Sequence, residues 1–142
     1  MLAENLFPER YLEFSKLDPK SQNLLVIDDD PDQQLFIAAL LLRAGYQVTT
    51  ARSAIEGLVQ MSRVSMDLVI SDLKMPDMNG FDFIQEVRNS SFIPKSSYLP
   101  IIMLTSCTRD LEFVSLEIGA DMFCEKKNAW RFLLGQVEFL LS

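Results

Sequence analysis

The sequence is short of cysteine, of basic residues and of long apolar runs, and each shortage excludes a class of protein. Two cysteines in 142 residues, Cys107 and Cys124, form no metal-ligand spacing and are too few for a disulfide framework, which points to a reducing compartment. Thirteen basic residues against twenty acidic ones leave a net charge of −7. That balance argues against direct nucleic-acid binding, because phosphate-backbone affinity rests on Lys and Arg. No apolar run approaches the roughly 18 residues needed to span a bilayer, so no membrane partner is expected. Glu4, Glu9, Arg10, Glu13 and Lys16 interrupt the N-terminal stretch and leave no signal-peptide core. Internal repeats and low-complexity segments are missing as well. What is present, 49% hydrophobic and 23% charged residues, suits one cytoplasmic domain with a core of its own.

Residues 1–21 read differently from the rest. Pro8 can open a short helix carrying Tyr11, Leu12 and Phe14, and Pro19 would end it. The segment is expected to be an N-terminal extension, either a tail or a docking helix, outside a main domain at 22–142.

From there two kinds of segment alternate. Leu24-Leu25-Val26-Ile27 is a continuous apolar run, as expected of a strand buried on both faces. Pro31 opens a helical pattern with Leu35, Phe36, Ala39, Leu40 and Leu42 on one side, closed by Gly45. Residues 47–51 are β-prone. Ser53 caps a second helix carrying Ile55, Leu58 and Val59. Leu68-Val69-Ile70 is a further strand, followed by the breaker-rich loop Met75-Pro76-Asp77-Met78-Asn79-Gly80. A third helix turns Phe83, Ile84 and Val87 inward. Ile101-Ile102-Met103-Leu104 is the fourth strand, 111–118 a helix ended by Gly119, and 122–125 the fifth strand. Ala129, Phe132, Leu133, Val137 and Leu140 sit at helical spacing on the last helix. Five strands alternating with five helices predict an α/β domain, a parallel sheet with helices on both faces.

Ligands of open parallel sheets bind beyond the carboxyl ends of the strands. Strand one runs into Asp28-Asp29-Asp30, strand three into Asp72, strand four into Thr105-Ser106 and strand five into Lys126-Lys127. Crowded carboxylates repel unless a cation sits between them, and a hard ion such as Mg²⁺ suits oxygen ligands and keeps room for a phosphate. One carboxylate could then attack a phosphoryl group, with the metal, Lys126 and the Thr105 hydroxyl stabilising the equatorial oxygens. Each residue also has an ordinary reading. Asp29 or Asp30 can cap the Pro31 helix, Asp72 can be a turn residue, Thr105 can cap a helix, and Lys126 with Lys127 can be a solvated pair. Four complementary strand ends at one edge are what those ordinary readings leave unexplained.

The stretches 24–31, 68–80, 100–106 and 119–126 resemble, in order, the motifs of receiver domains of bacterial two-component response regulators (the CheY-like superfamily). The resemblance covers about residues 22–142. It implies a flavodoxin-like (βα)5 fold, a doubly wound five-stranded parallel sheet in three layers with strand order 2-1-3-4-5. It further implies that Asp72 accepts a phosphoryl group from a histidine kinase's phosphohistidine. Asp29 and Asp72 would ligate Mg²⁺ together with the backbone carbonyl of Lys74, and Asp28 would act through a bound water. Thr105 would be the switch hydroxyl, Lys126 the phosphate-contacting lysine and Phe123 the aromatic switch position. Family members usually carry proline after that lysine, where this chain has Lys127. A non-proline cis bond costs about 2.5–4 kcal/mol, so a trans bond is expected here. By the same resemblance, the Lys74 side chain would lie near the line of attack, where it could shield the phosphate from water.

As the resemblance implies, phosphorylation would draw Thr105 in, shift the 106–110 loop and turn Phe123 inward. The output surface would be the fourth helix, fifth strand and fifth helix, with Leu111, Phe113, Val114 and Trp130 as apolar candidates for a downstream protein effector or a homodimer contact. Upstream, the expected partner is a sensor histidine kinase or a phosphotransfer protein. Such a domain is a signalling switch, catalysing only its own phosphorylation and dephosphorylation. Within the 142 residues nothing follows the last helix, which suits a stand-alone receiver or a piece of a longer regulator. The alternatives are a degenerate receiver that binds partners without phosphorylation, and a Mg²⁺-dependent haloacid-dehalogenase-type phosphatase using the Asp28-x-Asp30 pair. The phosphatase lacks its expected Thr or Val, where Asp32 stands. Flavin binding would need a hydroxyl- and Gly-rich loop where three carboxylates stand.

Overall fold

The computed structural model describes residues 22–106 and 119–142. Among the described residues are five strands: β1 (Asn23–Ile27), β2 (Gln47–Ala51), β3 (Leu68–Asp72), β4 (Ile101–Thr105) and β5 (Met122–Glu125). They form one parallel sheet in the order β2-β1-β3-β4-β5. The helices among the described residues are α1 (Pro31–Arg43), α2 (Ala54–Arg63), α3 (Gly80–Asn89) and α4 (Ala129–Leu141), with a 3-10 turn at Lys126–Asn128. The expected helix at 111–118, with Leu111, Phe113 and Val114, lies outside the described residues, as does the expected extension at 1–21. None of the described helices is long and apolar enough to cross a membrane.

The continuous apolar runs are explained by two cores, one on each face of the sheet. β1 sends Leu25 and Ile27 to the face covered by α2 and α3, where they join Val69, Ile101 and Phe83. Its Leu24 and Val26 face α1 and α4, with Ile70, Ile102 and Leu133. Each such side chain, fully removed from water, contributes about 1.5–3 kcal/mol. Arg88 anchors the opposite edge of the sheet from the polar strand ends. Its guanidinium donates to the carbonyls of Ser96, Leu99 and Gly119 and pairs with Asp121 at 3.2 Å.

The helix starts agree with the sequence reading. Pro31 is the first residue of α1, and Asp30 caps it by accepting from Asp32 N–H at 3.0 Å and Gln33 N–H at 3.4 Å. Ser53 caps α2 and Asn79 caps α3.

The buried faces of the first two helices do not agree. α1 buries Ile37, Ala38 and Leu41, while Leu35, Phe36 and Leu42 are exposed. Apolar residues run without a break from Leu35 to Leu42, so spacing alone cannot select a face. α2 buries Ala54, Gly57 and Met61, and Ile55 and Val59 face outward. The reason is close approach: a Cβ on Gly57 would collide with Ile27 Cδ1, so the small residues must face β1. On α4, Ala129, Leu133 and Val137 are buried as expected, Leu140 is half-buried, and Phe132 is exposed. In α3 the inward Phe83, Ile84 and Val87 are as expected.

Candidate functional site

Strand register brings the polar strand ends together. Ile27 lies opposite Ser71, so the next residues, Asp28 and Asp72, leave the sheet side by side. Asp72 in turn lies opposite Leu104, and Thr105 opposite Glu125, one residue before Lys126. Asp28, Asp72 and Thr105 are all buried, and Asp29 is exposed at the rim. One carboxylate oxygen from each of Asp28, Asp29 and Asp72 lies within 4.8 Å of the other two.

Lys126 reaches into this cluster. Its Nζ donates to Asp72 Oδ2 at 3.1 Å and stands 3.4 Å from Asp28 Oδ2. Lys127 does not divert it: the described backbone has no cis peptide, and Lys127 turns to the surface to pair with Glu125 at 3.4 Å. Burial would lower the Lys126 pKa, but the hydrogen bond and charge of Asp72, with Asp28 behind it, outweigh that and raise it above 10.5. The ammonium therefore stays charged throughout the neutral range.

Asp28 behaves oppositely. Burial, reinforced by the Asp72 charge, raises its pKa above 3.8 against the lowering effects of the Asp30 N–H and Lys126. Its Oδ1 accepts from Asp30 N–H at 3.0 Å, whereas Oδ2 is buried with no hydrogen-bond donor. At 3.4 Å the Lys126 ammonium attracts Oδ2 without forming a well-made hydrogen bond. Three carboxylates against one ammonium leave an excess of negative charge on a buried, under-satisfied oxygen. All the donors are hard oxygens, so the residues present fit a divalent cation such as Mg²⁺.

The other expected positions lie around this cluster. Lys74 exposes its side chain two residues beyond Asp72, in a loop whose ends are pinned by Gly80 N–H donating to Leu73 C=O at 2.7 Å. A Cβ on Gly80 would sit 3.0 Å from Leu73 Cα, so a glycine permits this closure. Phe123 is half-buried on the α2–α3 side, its carbonyl accepting from Gln136 at 3.0 Å. Trp130 is exposed, outside the inward stripe of α4. Asp30 caps α1 through Oδ1 at the exposed rim, and the group of converging carboxylates is Asp28, Asp29 and Asp72 without it.

Two contributors escaped the sequence reading. Gln34 Nε2 donates to the carbonyls of Ala51 at 2.8 Å and Asp28 at 3.2 Å, bracing the backbone under the acidic pair. Its position four residues after the Asp30 cap, one turn into α1, was the available signal. Asp77 accepts from the first amides of α2, a contact between distant segments that no local pattern announces.

The family model described as "Response regulator receiver domain" matches residues 24–138. The chain belongs to that family. Receiver domains of this family are signalling modules. The chain is 34% identical over 128 residues to the probable transcriptional regulator ycf27 of Cyanidium caldarium, covering 89% of this chain and 49% of that protein. It is 34% identical over 119 residues to the CpxR homolog of Haemophilus influenzae, a transcriptional regulatory protein, covering 83% and 49% respectively. The receiver thus spans about half the length of these curated relatives. Among solved structures, chemotaxis response regulator CheY4 of Vibrio cholerae superposes with a TM-score of 0.78 at 29% identity, covering 86% of this chain and 100% of that one. Response regulator TrrA of Thermotoga maritima, solved in complex with Mg²⁺-BeF, gives 0.74 at 29% identity, covering 84% and 99%. The likeness to these neighbours accords with a flavodoxin-like α/β fold for this chain.

Proposed function

We propose that this receiver is a phosphorylation switch in which Asp72 accepts a phosphoryl group from the phosphohistidine of a sensor histidine kinase or phosphotransfer protein. An Asp72 carboxylate oxygen attacks phosphorus, the phosphorus–nitrogen bond breaks, and the departing imidazole keeps the electron pair and takes up a proton. Asp29, Asp72 and the Lys74 carbonyl would hold Mg²⁺, with Asp28 acting through water. When bound, the ion supplies neutralisation for the acid cluster and for the incoming phosphoryl oxygens. The TrrA complex with Mg²⁺-BeF supports this reading of the cluster.

Lys126 holds its ammonium beside the acceptor oxygen, where it offsets charge on the transferring group. The Thr105 hydroxyl, at the end of β4, contacts the phosphoryl group once the adjoining loop moves, and Phe123 follows inward. The changed surface comprises β5, α4 and the 111–118 segment. It would meet a downstream protein effector or a second copy of the chain, with Trp130 as an aromatic contact. We further propose that residues 22–142 are the receiver and 1–21 an extension, and that the domain works in the cytoplasm without touching nucleic acid or membrane itself.

The observation that carries this reading is the placement of Lys126 Nζ between Asp72 and Asp28, with Asp29 alongside. Incubation with acetyl phosphate and Mg²⁺, followed by intact mass measurement, tests it. Uptake of one phosphoryl group, abolished in Asp72→Ala and by chelation of the metal, is expected. No uptake would favour a phosphorylation-independent binding module. Rapid phosphate release from varied monoesters would favour a phosphatase.

A further inference from the structure

The loop between β3 and α3 is tied to a helix that has no part in the acid cluster. Asp77 Oδ2 accepts from the Ile55 N–H at 2.9 Å, and Oδ1 from the Ala54 N–H at 3.3 Å. These are the first two amides of α2, which have no partners inside their own helix. Ser53 supplies the usual cap to the Glu56 N–H at 3.1 Å, so Asp77 is a second cap reaching over from a segment 22 residues away from Ile55.

Three attachments therefore fix the chain after the acceptor. Gly80 N–H closes on Leu73 C=O at 2.7 Å, Asn79 caps α3 by accepting from Asp82 N–H at 2.9 Å, and Asp77 fastens the loop sideways to α2. Only the Asp77 contact leaves the loop's own neighbourhood. Lys74 lies between the first and last of these, three residues before Asp77. Negative charge suits a helix N-terminus, so the carboxylate belongs there in its ionised form.

We propose that Asp77 is a positioning residue: by latching the β3–α3 loop to the N-terminus of α2, it holds the Lys74 backbone carbonyl where a divalent cation can use it. The inference rests on the metal site of the proposed function and assigns a determinant of that site outside the acid cluster. Its physical basis is preorganisation. A carbonyl on a loop free to shift must be ordered when the ion arrives, whereas a latched one is in place beforehand.

Calorimetric titration of Mg²⁺ into wild type, Asp77→Ala and Asp77→Asn tests this, with thermal unfolding in chelator to confirm that each variant is folded. Asparagine keeps one acceptor oxygen and is itself a good helix cap, but carries no charge. The expected result is a Mg²⁺ affinity weakened about tenfold in Asp77→Ala and largely restored in Asp77→Asn. Unchanged affinity in a folded Asp77→Ala, even with a lowered unfolding temperature, would make the latch merely structural and overturn the inference. Equal losses in Ala and Asn would assign the effect to charge and overturn it likewise. Failure of the wild type to bind Mg²⁺ would overturn the metal-site reading itself, and the inference with it.

Discussion

Lys126 Nζ donates to Asp72 Oδ2 across 3.1 Å, so an ammonium holds the carboxylate of the proposed phosphoryl acceptor. The same ammonium repels a divalent cation seated among the neighbouring oxygens. Lys126→Met should therefore tighten Mg²⁺ binding by up to roughly tenfold, about 1.4 kcal/mol, while slowing phosphoryl uptake from acetyl phosphate by at least that factor. Titration calorimetry and intact mass kinetics read the two effects separately. Weaker Mg²⁺ binding in the variant would mean that Lys126 orders the acid cluster rather than competing for it.

Asp28 gives a pH dependence with a defined sign. Its folded-state pKa is raised above 3.8, chiefly by burial and then by the Asp72 charge, so the folded state binds this proton more tightly than the unfolded chain. Stability contributed by this group therefore falls as pH rises from the unfolded value through the raised folded value. Asp28→Asn removes the penalty and should stabilise the metal-free protein at pH near 8, with the advantage shrinking on acidification. Urea midpoints measured in chelator across that pH range check it. A variant less stable than wild type at every pH would refute the sign.

The exposed Lys74 side chain stands two residues past Asp72, the proposed acceptor. If it shields the phosphoryl group from water, Lys74→Ala should shorten the lifetime of the phosphorylated state several-fold with little change in stability. Decay of the phosphorylated mass after removal of the phosphodonor measures this, and an unchanged or longer lifetime would dismiss the shielding role.

Gln34 braces two carbonyls at once, those of Asp28 and Ala51. Gln34→Ala should cost about 1–2 kcal/mol of unfolding free energy, and Gln34→Glu more, because a carboxylate would face two carbonyl oxygens. Chemical denaturation distinguishes them. Wild-type stability in Gln34→Ala would show that water replaces the amide without penalty, and a Glu variant as stable as the Ala variant would show that the carboxylate escapes the two carbonyls.

The sheet and its polar edge were legible because their signals are local. Leu24-Leu25-Val26-Ile27 followed by aspartates states a buried strand and its outlet in one stretch, and Asp30-Pro31 states the helix start. The buried faces of α1 and α2 were not legible. Eight consecutive apolar residues from Leu35 to Leu42 carry no preferred side, and the Gly57 side of α2 is selected by Ile27, thirty residues away. Asp77 escaped for the same reason: its partners begin another helix, and only the assembled fold names them. Within the acid cluster, residue types suggested the proposed chemistry, but register decided that Asp28 and Asp72 emerge together.

The most direct test of the central chemistry is a crystal structure grown with Mn²⁺ in place of Mg²⁺, using anomalous scattering to locate the ion. The expected result is a single peak in contact with the carboxylates of Asp29 and Asp72 and the backbone carbonyl of Lys74, at roughly 2.0–2.3 Å. Asp28 should lie one water away. An empty acid cluster with Lys126 still bridging Asp28 and Asp72, at a Mn²⁺ concentration that occupies other sites, would contradict it.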